Sequence, residues 1–217
     1  MIDSLVAFLT THADPALAIV LFTLAVRLLL LPLVIKQARS AKIKERLAPK
    51  LRELQKRHSK NPERLSKEMT ALYAKEGSSP FAGILPGLAQ VPFMWLMYRV
   101  ATHPTALAGH YLFGAPLGQN VAGVVASFGL VSVPFLVFAL VIVGLLVVAW
   151  LMSRRMRAAA TADQPEMLRK ILPLLPFASV VTAAVLPLAA GLYLLVSTAW
   201  TAAERTVLFR PVTNQPL

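Results

Sequence analysis

The chain contains no cysteine, which excludes disulfides, thiolate metal sites and a cysteine nucleophile. Acidic residues are scarce, 10 against 22 Lys and Arg, and none of them lies inside a long apolar stretch. The histidines, at positions 12, 58, 103 and 110, also fall outside those stretches, so a proton relay through a membrane has no visible parts. No glycine-rich loop leads into Lys-Ser or Lys-Thr, no His-Glu-x-x-His occurs, and no convincing Ser/His/Asp arrangement is found. Nucleotide-driven work and hydrolysis therefore lack machinery, and neither an enzyme nor a bound cofactor is expected. His103 and His110 share a loop without a third ligand nearby, so they read as loop histidines rather than a metal site.

Apolar residues dominate instead: 57% of the 217 residues are hydrophobic, and the mean hydropathy is +0.64. A soluble domain of this length is not so apolar, so the class is an integral membrane protein. Most apolar stretches run 15–20 residues without dyad alternation, which gives an all-α, polytopic helix bundle rather than a β-barrel. The first basic residue is Arg27, and only Asp3 and Asp14 are charged before it, so a cleavable signal peptide is not expected.

In chain order, residues 1–14 form a short extracytoplasmic lead-in, either an interfacial helix or a disordered segment. Five spans follow, at about 15–35, 80–101, 133–152, 169–185 and 187–203, with 210–217 as a cytosolic tail. Pro32 is expected to kink the first span, and Pro187 to divide the uncharged stretch 171–203 into two short spans. Charge supports that division. Thirteen Lys and Arg lie between Lys36 and Ser79 and five between Ser153 and Lys170, while the N-terminus and the 102–132 loop hold none. Positive loops face the cytosol, so the N-terminus lies outside, and the basic tail is inside only if 171–203 crosses twice.

The segment 37–78 is expected to be a cytosolic helical hairpin. Leu47, Leu51 and Leu54 repeat at helical spacing, as do Leu65, Met69, Leu72 and Tyr73, so each half carries an apolar stripe. Asn61 reads as an N-cap, Pro62 as the first helical residue and Gly77 as a stop. Such a hairpin either sets topology as a solvated arm or docks a substrate or partner.

Arg27 lies roughly 13 Å from the end of the first span marked by Lys36, too deep to snorkel comfortably. An Arg at the centre of a lipid-facing helix costs about 2.5–3.5 kcal/mol on insertion scales. With no acid inside the spans, and Glu204 just beyond the last, a carboxylate companion is not expected. Thr23 on the same face, and Gln90, Tyr98, Ser179, Thr182, Ser197, Thr198 and Thr201 on other spans, are the polar candidates. Two readings stay open: an arginine held by backbone carbonyls at a helix break, or a wet recess with one fixed positive charge that attracts anionic groups.

Several motifs resemble those of the YidC family of membrane protein insertases. They are Leu-Ala-Val-Arg27-Leu-Leu-Leu-Leu-Pro32-Leu, Lys36-Gln37, Leu47-Ala-Pro49-Lys-Leu-Arg-Glu-Leu-Gln and Tyr73-Ala-Lys-Glu-Gly77-Ser-Ser-Pro80. Further on come Leu85-Pro86, Gln90-Val-Pro92-Phe93, Tyr98, Leu112-Phe113-Gly114, Pro116-Leu117 and Ala190-Gly191-Leu192-Tyr193. The order is collinear over roughly 15–209, and the form resembles the short Gram-positive type, related to mitochondrial Oxa-type and chloroplast Albino-type proteins. The resemblance implies a five-helix core with a hydrophilic groove open to cytosol and lipid, carrying Arg27, in the bacterial plasma membrane. It implies nascent membrane proteins and the lipid bilayer as partners, brings in the ribosome, the signal recognition particle receptor and the Sec translocon, and implies no specific nucleic acid. The last span departs from the family's aromatic pair and Asn, reading Tyr193-Leu-Leu-Val-Ser-Thr-Ala-Trp200. With seven residues after Arg210, the basic extension of some relatives is not expected. The function expected is therefore energy-independent insertion of small membrane proteins. A small anion-selective channel or transporter using Arg27 as a pore charge is the alternative, and a scaffold binding ribosomal RNA through the basic hairpin is a third reading.

Overall fold

The computed structural model describes residues 14–58, 61–79, 88, 91, 95, 109–158, 160 and 166–208, with Glu45 described in its backbone alone. The lead-in before Asp14, nearly all of the expected second span with Gln90 and Tyr98, His103, and the tail 210–217 lie outside the described residues. The elements are α1 (Pro15–Arg57), α2 (Pro62–Lys75), β1 (Tyr111–Leu112), β2 (Ala115–Pro116), α3 (Val121–Phe128), α4 (Val133–Ala158), α5 (Glu166–Ile171), α6 (Ala178–Val185) and α7 (Leu188–Leu208). A 3-10 segment, Leu172–Phe177, joins α5 to α6. Pro15–Lys44, Val133–Ala158 and Glu166–Val185 are long and apolar enough to cross a membrane. The class is thus all-α and membrane-embedded; a count of five spans is not reached among the described residues. The chain divides into two compact units, residues 1–27 with 93–205 and residues 28–92 with 206–217.

In the first unit, α1 begins at an Asp-Pro pair. Asp14 Oδ1 accepts from the amides of Ala16 at 2.8 Å and Leu17 at 3.4 Å, and Pro15 occupies the first helical position, where its missing N–H costs nothing. Helix α1 buries Ala16, Ile19, Thr23 and Arg27, a spacing of three and four residues that makes one face. The apolar core of this unit draws Ala16 and Ile19 together with Leu117, Val124, Phe138, Val141, Leu145, Ala183 and Leu188. Helices α4 and α7 pack closely, since a Cβ built on Gly144 would stand 3.0 Å from Leu195 Cδ1. Leu136, Leu140, Val143 and Val147 on α4 remain exposed, as do Leu174, Leu175, Val181 and Val185. Water does not tolerate such contiguous apolar surface, but hydrocarbon does.

The two strands form a hairpin with Tyr111 opposite Pro116 and Leu112 opposite Ala115. Its central residues, Phe113 at φ 48° and Gly114 at φ 80°, both have the positive φ that a type I′ turn requires. The segment after it closes the gap between α6 and α7. Pro187 has no N–H and stops the helix at Val185, and the freed groups find partners across the fold. Leu188 N–H donates to the Gln119 carbonyl at 3.0 Å, Ala189 N–H to the Leu117 carbonyl at 3.1 Å, and Asn120 Nδ2 to the Val185 carbonyl at 3.4 Å. Inside a membrane a broken helix survives only where its backbone groups are satisfied in this way. Asn120 also caps α3, accepting from the Gly123 amide at 2.9 Å.

In the second unit, α1 does not end near Lys36. It continues through Pro32 and Pro49 to Arg57, so the first arm of the hairpin is an extension of the helix that carries Arg27. Asn61 caps α2, its Oδ1 accepting from the Arg64 amide at 3.1 Å, and Gly77 turns the chain at φ 65°. Leu47, Leu51 and Tyr73 are buried together, with Ile43, Met69 and Leu72 packed against them. Leu54 and Leu65, nearer the turn, are half-buried. Ser40 and Ser78 share a hydroxyl–hydroxyl bond, and His58 Nε2 lies 3.1 Å from Glu68 Oε2 near the turn.

Because Leu51 is buried in that cluster while Leu54 is not, Leu51→Ala is expected to destabilise the hairpin by about 2–3 kcal/mol and Leu54→Ala by clearly less. Amide hydrogen exchange along α2 measures this; equal loss of protection in both variants would rule out the packing described.

Candidate functional site: a buried arginine between α1 and α7

The buried face of α1 runs from apolar to polar, Ala16 and Ile19 being followed by Thr23 and, last within the first unit, Arg27. Thr23, one turn earlier, is buried and donates its hydroxyl to the Ile19 carbonyl at 2.6 Å. Back-bonding of this kind satisfies the hydroxyl donor within the helix and uses neither of the oxygen's lone pairs.

The partner face belongs to α7, where Ser197, Thr201 and Glu204 fall four and three residues apart. Arg27 Nη2 donates to the Ser197 carbonyl at 2.8 Å and to Ser197 Oγ at 2.5 Å. Thr201 Oγ1 donates to the same carbonyl at 2.9 Å. Arg27 Nη1 lies 3.9 Å from Glu204 Oε2, and the two side chains are only 10% and 8% exposed. Glu204 Oε1 is in turn held by Trp200 Nε1 at 2.6 Å, one turn back on α7. A carboxylate companion was not expected from sequence; the structure supplies one, because α7 runs to Leu208 and carries Glu204 inside the helix rather than beyond its end.

The direct acceptors of Arg27 are a backbone carbonyl and a hydroxyl, so the guanidinium is not set among purely apolar groups. The carbonyl belongs to the middle of an unbroken helix, so it is not the helix-break arrangement either. A pair of unit charges about 4 Å apart attracts by roughly 4 kcal/mol at an effective dielectric near 20, before the cost of desolvating both is subtracted.

Of the other candidates, Thr198 donates to the Leu194 carbonyl at 2.7 Å and Ser179 to the Pro176 carbonyl at 2.7 Å. Thr182 donates to the Ala178 carbonyl at 2.8 Å and is exposed on α6. These three bonds stay within their own segments and do not reach Arg27. Gln90 and Tyr98 lie outside the described residues. Sequence reasoning missed Glu204 as a site residue and Trp200 as its holder. The available signal was the Ser197, Thr201, Glu204 spacing, which continues a polar helical face past a boundary drawn on hydropathy alone. Among the described residues no cluster of three or more His, Asp or Glu is placed to hold a metal.

Long apolar helices with exposed Leu and Val, joined through a buried arginine, define a polytopic α-helical membrane protein. The family described as 60Kd inner membrane protein matches residues 8–215, and the chain belongs to that family, the YidC and Oxa-type proteins. Over 205 residues it is 29% identical to the membrane protein insertase MisCA of Bacillus subtilis, covering 93% of this chain and 72% of that one. Over 97 residues it is 43% identical to the membrane protein insertase YidC of Clostridium perfringens, covering 45% of this chain and 41% of that one. Over 181 residues it is 29% identical to the membrane protein insertase YidC 2 of Bacillus anthracis, covering 82% and 65%. In two of these three the match spans less than two thirds of the relative's own length. The relatives are named for insertion and not for a catalysed reaction, and the family is not one of enzymes.

Arg27→Met leaves the buried Glu204 carboxylate without its cation and is expected to cost about 3–5 kcal/mol. The double variant Arg27→Met/Glu204→Gln should recover part of that loss. Thermal unfolding in detergent of both single variants and the double variant measures the coupling, and strict additivity would rule the pair out.

Proposed function

We propose that this protein is a membrane protein insertase in which Arg27 receives a polar or acidic segment of a nascent chain while the adjoining apolar segment passes into lipid. The reading is carried by the buried guanidinium, which faces a polar stripe of α7 in an otherwise apolar bundle, in a chain that belongs to the insertase family. Five spans, at about 15–35, 80–101, 133–152, 169–185 and 187–203, enclose a hydrophilic groove open to the cytosol and to the lipid but closed outside. The N-terminus is extracytoplasmic and the tail cytosolic, in keeping with the positive charge of 37–78 and 153–170.

No nucleotide is consumed in this scheme. Transfer of apolar surface from water to hydrocarbon, roughly 25 cal/mol per Å², supplies the drive, and the groove lowers the barrier for the polar end. The hairpin 37–78 acts as a docking arm toward the cytosol, where the ribosome, the signal recognition particle receptor and the Sec translocon are its candidate partners. An anion conduit is the less favoured reading, because Glu204 compensates the charge that such a pore would rely on.

In proteoliposomes, Arg27→Ala is expected to reduce insertion of a single-span substrate with an acidic tail several-fold more than that of its neutral-tailed counterpart; equal insertion of both rejects the electrostatic role. Removing residues 40–76 is expected to impair substrate recruitment while the membrane helices stay folded. Undiminished insertion by that variant would refute the docking role.

A further inference from the structure

The 3.9 Å separation between Arg27 and Glu204 is short enough for strong attraction and too long for a hydrogen bond. A charge-assisted N–H to carboxylate bond closes to about 2.7–2.9 Å, so the Glu204 carboxylate stands about 1 Å short of full engagement. Its other oxygen shows why. Trp200 Nε1 binds Glu204 Oε1 at 2.6 Å from the preceding turn of the same helix, which anchors the carboxylate to α7. The side of the guanidinium bonded through Nη2 is fixed to Ser197, while Nη1 faces a carboxylate that neutralises it without bonding it.

We propose that Glu204 is a built-in counter-ion, which neutralises Arg27 in the unloaded protein and yields it to an Asp or Glu side chain of the incoming segment. This rests on the insertase reading above and names the regulation of its site. A mobile carboxylate reaches hydrogen-bond distance from Nη1, which Glu204, tied to Trp200, does not. The incoming acid therefore displaces Glu204 from the guanidinium, and Glu204 returns when the segment leaves. Without Glu204 the buried cation would hold an acidic segment more tightly and release it more slowly. Glu204 and Trp200 are thus positioning residues that set the strength of the arginine, and the arginine is the group that meets the substrate.

The two residues have opposite expected effects, which separates this proposal from a merely structural role. The full chain in lipid nanodiscs is titrated with two fluorescent single-span peptides that differ only in a tail carrying aspartates or asparagines, and the ratio of their affinities is read. Glu204→Gln is expected to raise the preference for the aspartate peptide by about tenfold, which corresponds to about 1.4 kcal/mol. Trp200→Phe removes the anchor but keeps the carboxylate, which then closes on Arg27 and lowers the preference below that of the unaltered protein. An unchanged ratio in Glu204→Gln, or a shift of both variants in the same direction, overturns the proposal. If Glu204→Gln does not fold, Trp200→Phe decides alone: a lowered ratio supports the proposal and an unchanged or raised one overturns it. Insertion by the unaltered protein into empty vesicles is scored separately, so a failure of the insertase reading is distinguishable from a failure of this one.

Discussion

A guanidinium taken out of water has to find acceptors, and the first unit of this protein is arranged around that demand. Arg27 and Ser197 are 170 positions apart in the chain, yet one carbonyl and one hydroxyl of α7 meet the same nitrogen. For α7 to present Ser197, its first turn must sit beside the loop after the β-hairpin, where Leu117 and Gln119 receive its leading amides. It must also lie close to α4, where Gly144 leaves room for Leu195. The polar contact is small, but an unsatisfied arginine would cost more than any single apolar contact returns. Its position therefore constrains which helices can be neighbours.

The remainder of the molecule divides into surfaces for different solvents. Exposed Leu and Val on α4 and on Glu166–Val185 suit hydrocarbon, with Arg154 lying over the Trp150 ring at 5.6 Å where the charged end of α4 begins. In the hairpin the exposed side is charged, and a narrow stripe around Leu47, Leu51 and Tyr73 is withdrawn from solvent. That small cluster is enough to pair two helices, since the caps at Asn61 and Gly77 already fix where α2 starts and stops. Burial also raises the pKa of the Tyr73 hydroxyl, because its charged form would lose solvation.

Local chemistry was legible in the sequence wherever it was periodic or carried by one residue type. Arg27 stood out as an ion among apolar neighbours, the hairpin stripe as a repeat, and Asn61-Pro62 as a cap followed by proline. Glu204 escaped because hydropathy places a boundary where polarity rises, whereas a helix ends where its backbone loses partners, and α7 keeps its partners to Leu208. The continuation of α1 past Lys36 into the hairpin escaped for a related reason: charge rises there, but the backbone keeps its helical partners to Arg57. The closure of the Pro187 gap by Leu117, Gln119 and Asn120 had no sequence signature at all. Two of those bonds join backbone groups about seventy residues apart, and backbone groups are the same in every residue; the third comes from the Asn120 side chain, which also caps α3.

That closure gives α7 unequal ends. Its first turn is stitched through main-chain bonds to the loop, whereas near its far end Glu204 faces Arg27 of α1 through side chains. From Leu188 to Glu204 the helix is about 24 Å long, so a swing of about 5° at the stitched end carries the carboxylate through about 2 Å. A fixed tip at one end and an ion at the other give α7 the proportions of a lever, with its longest throw at Glu204.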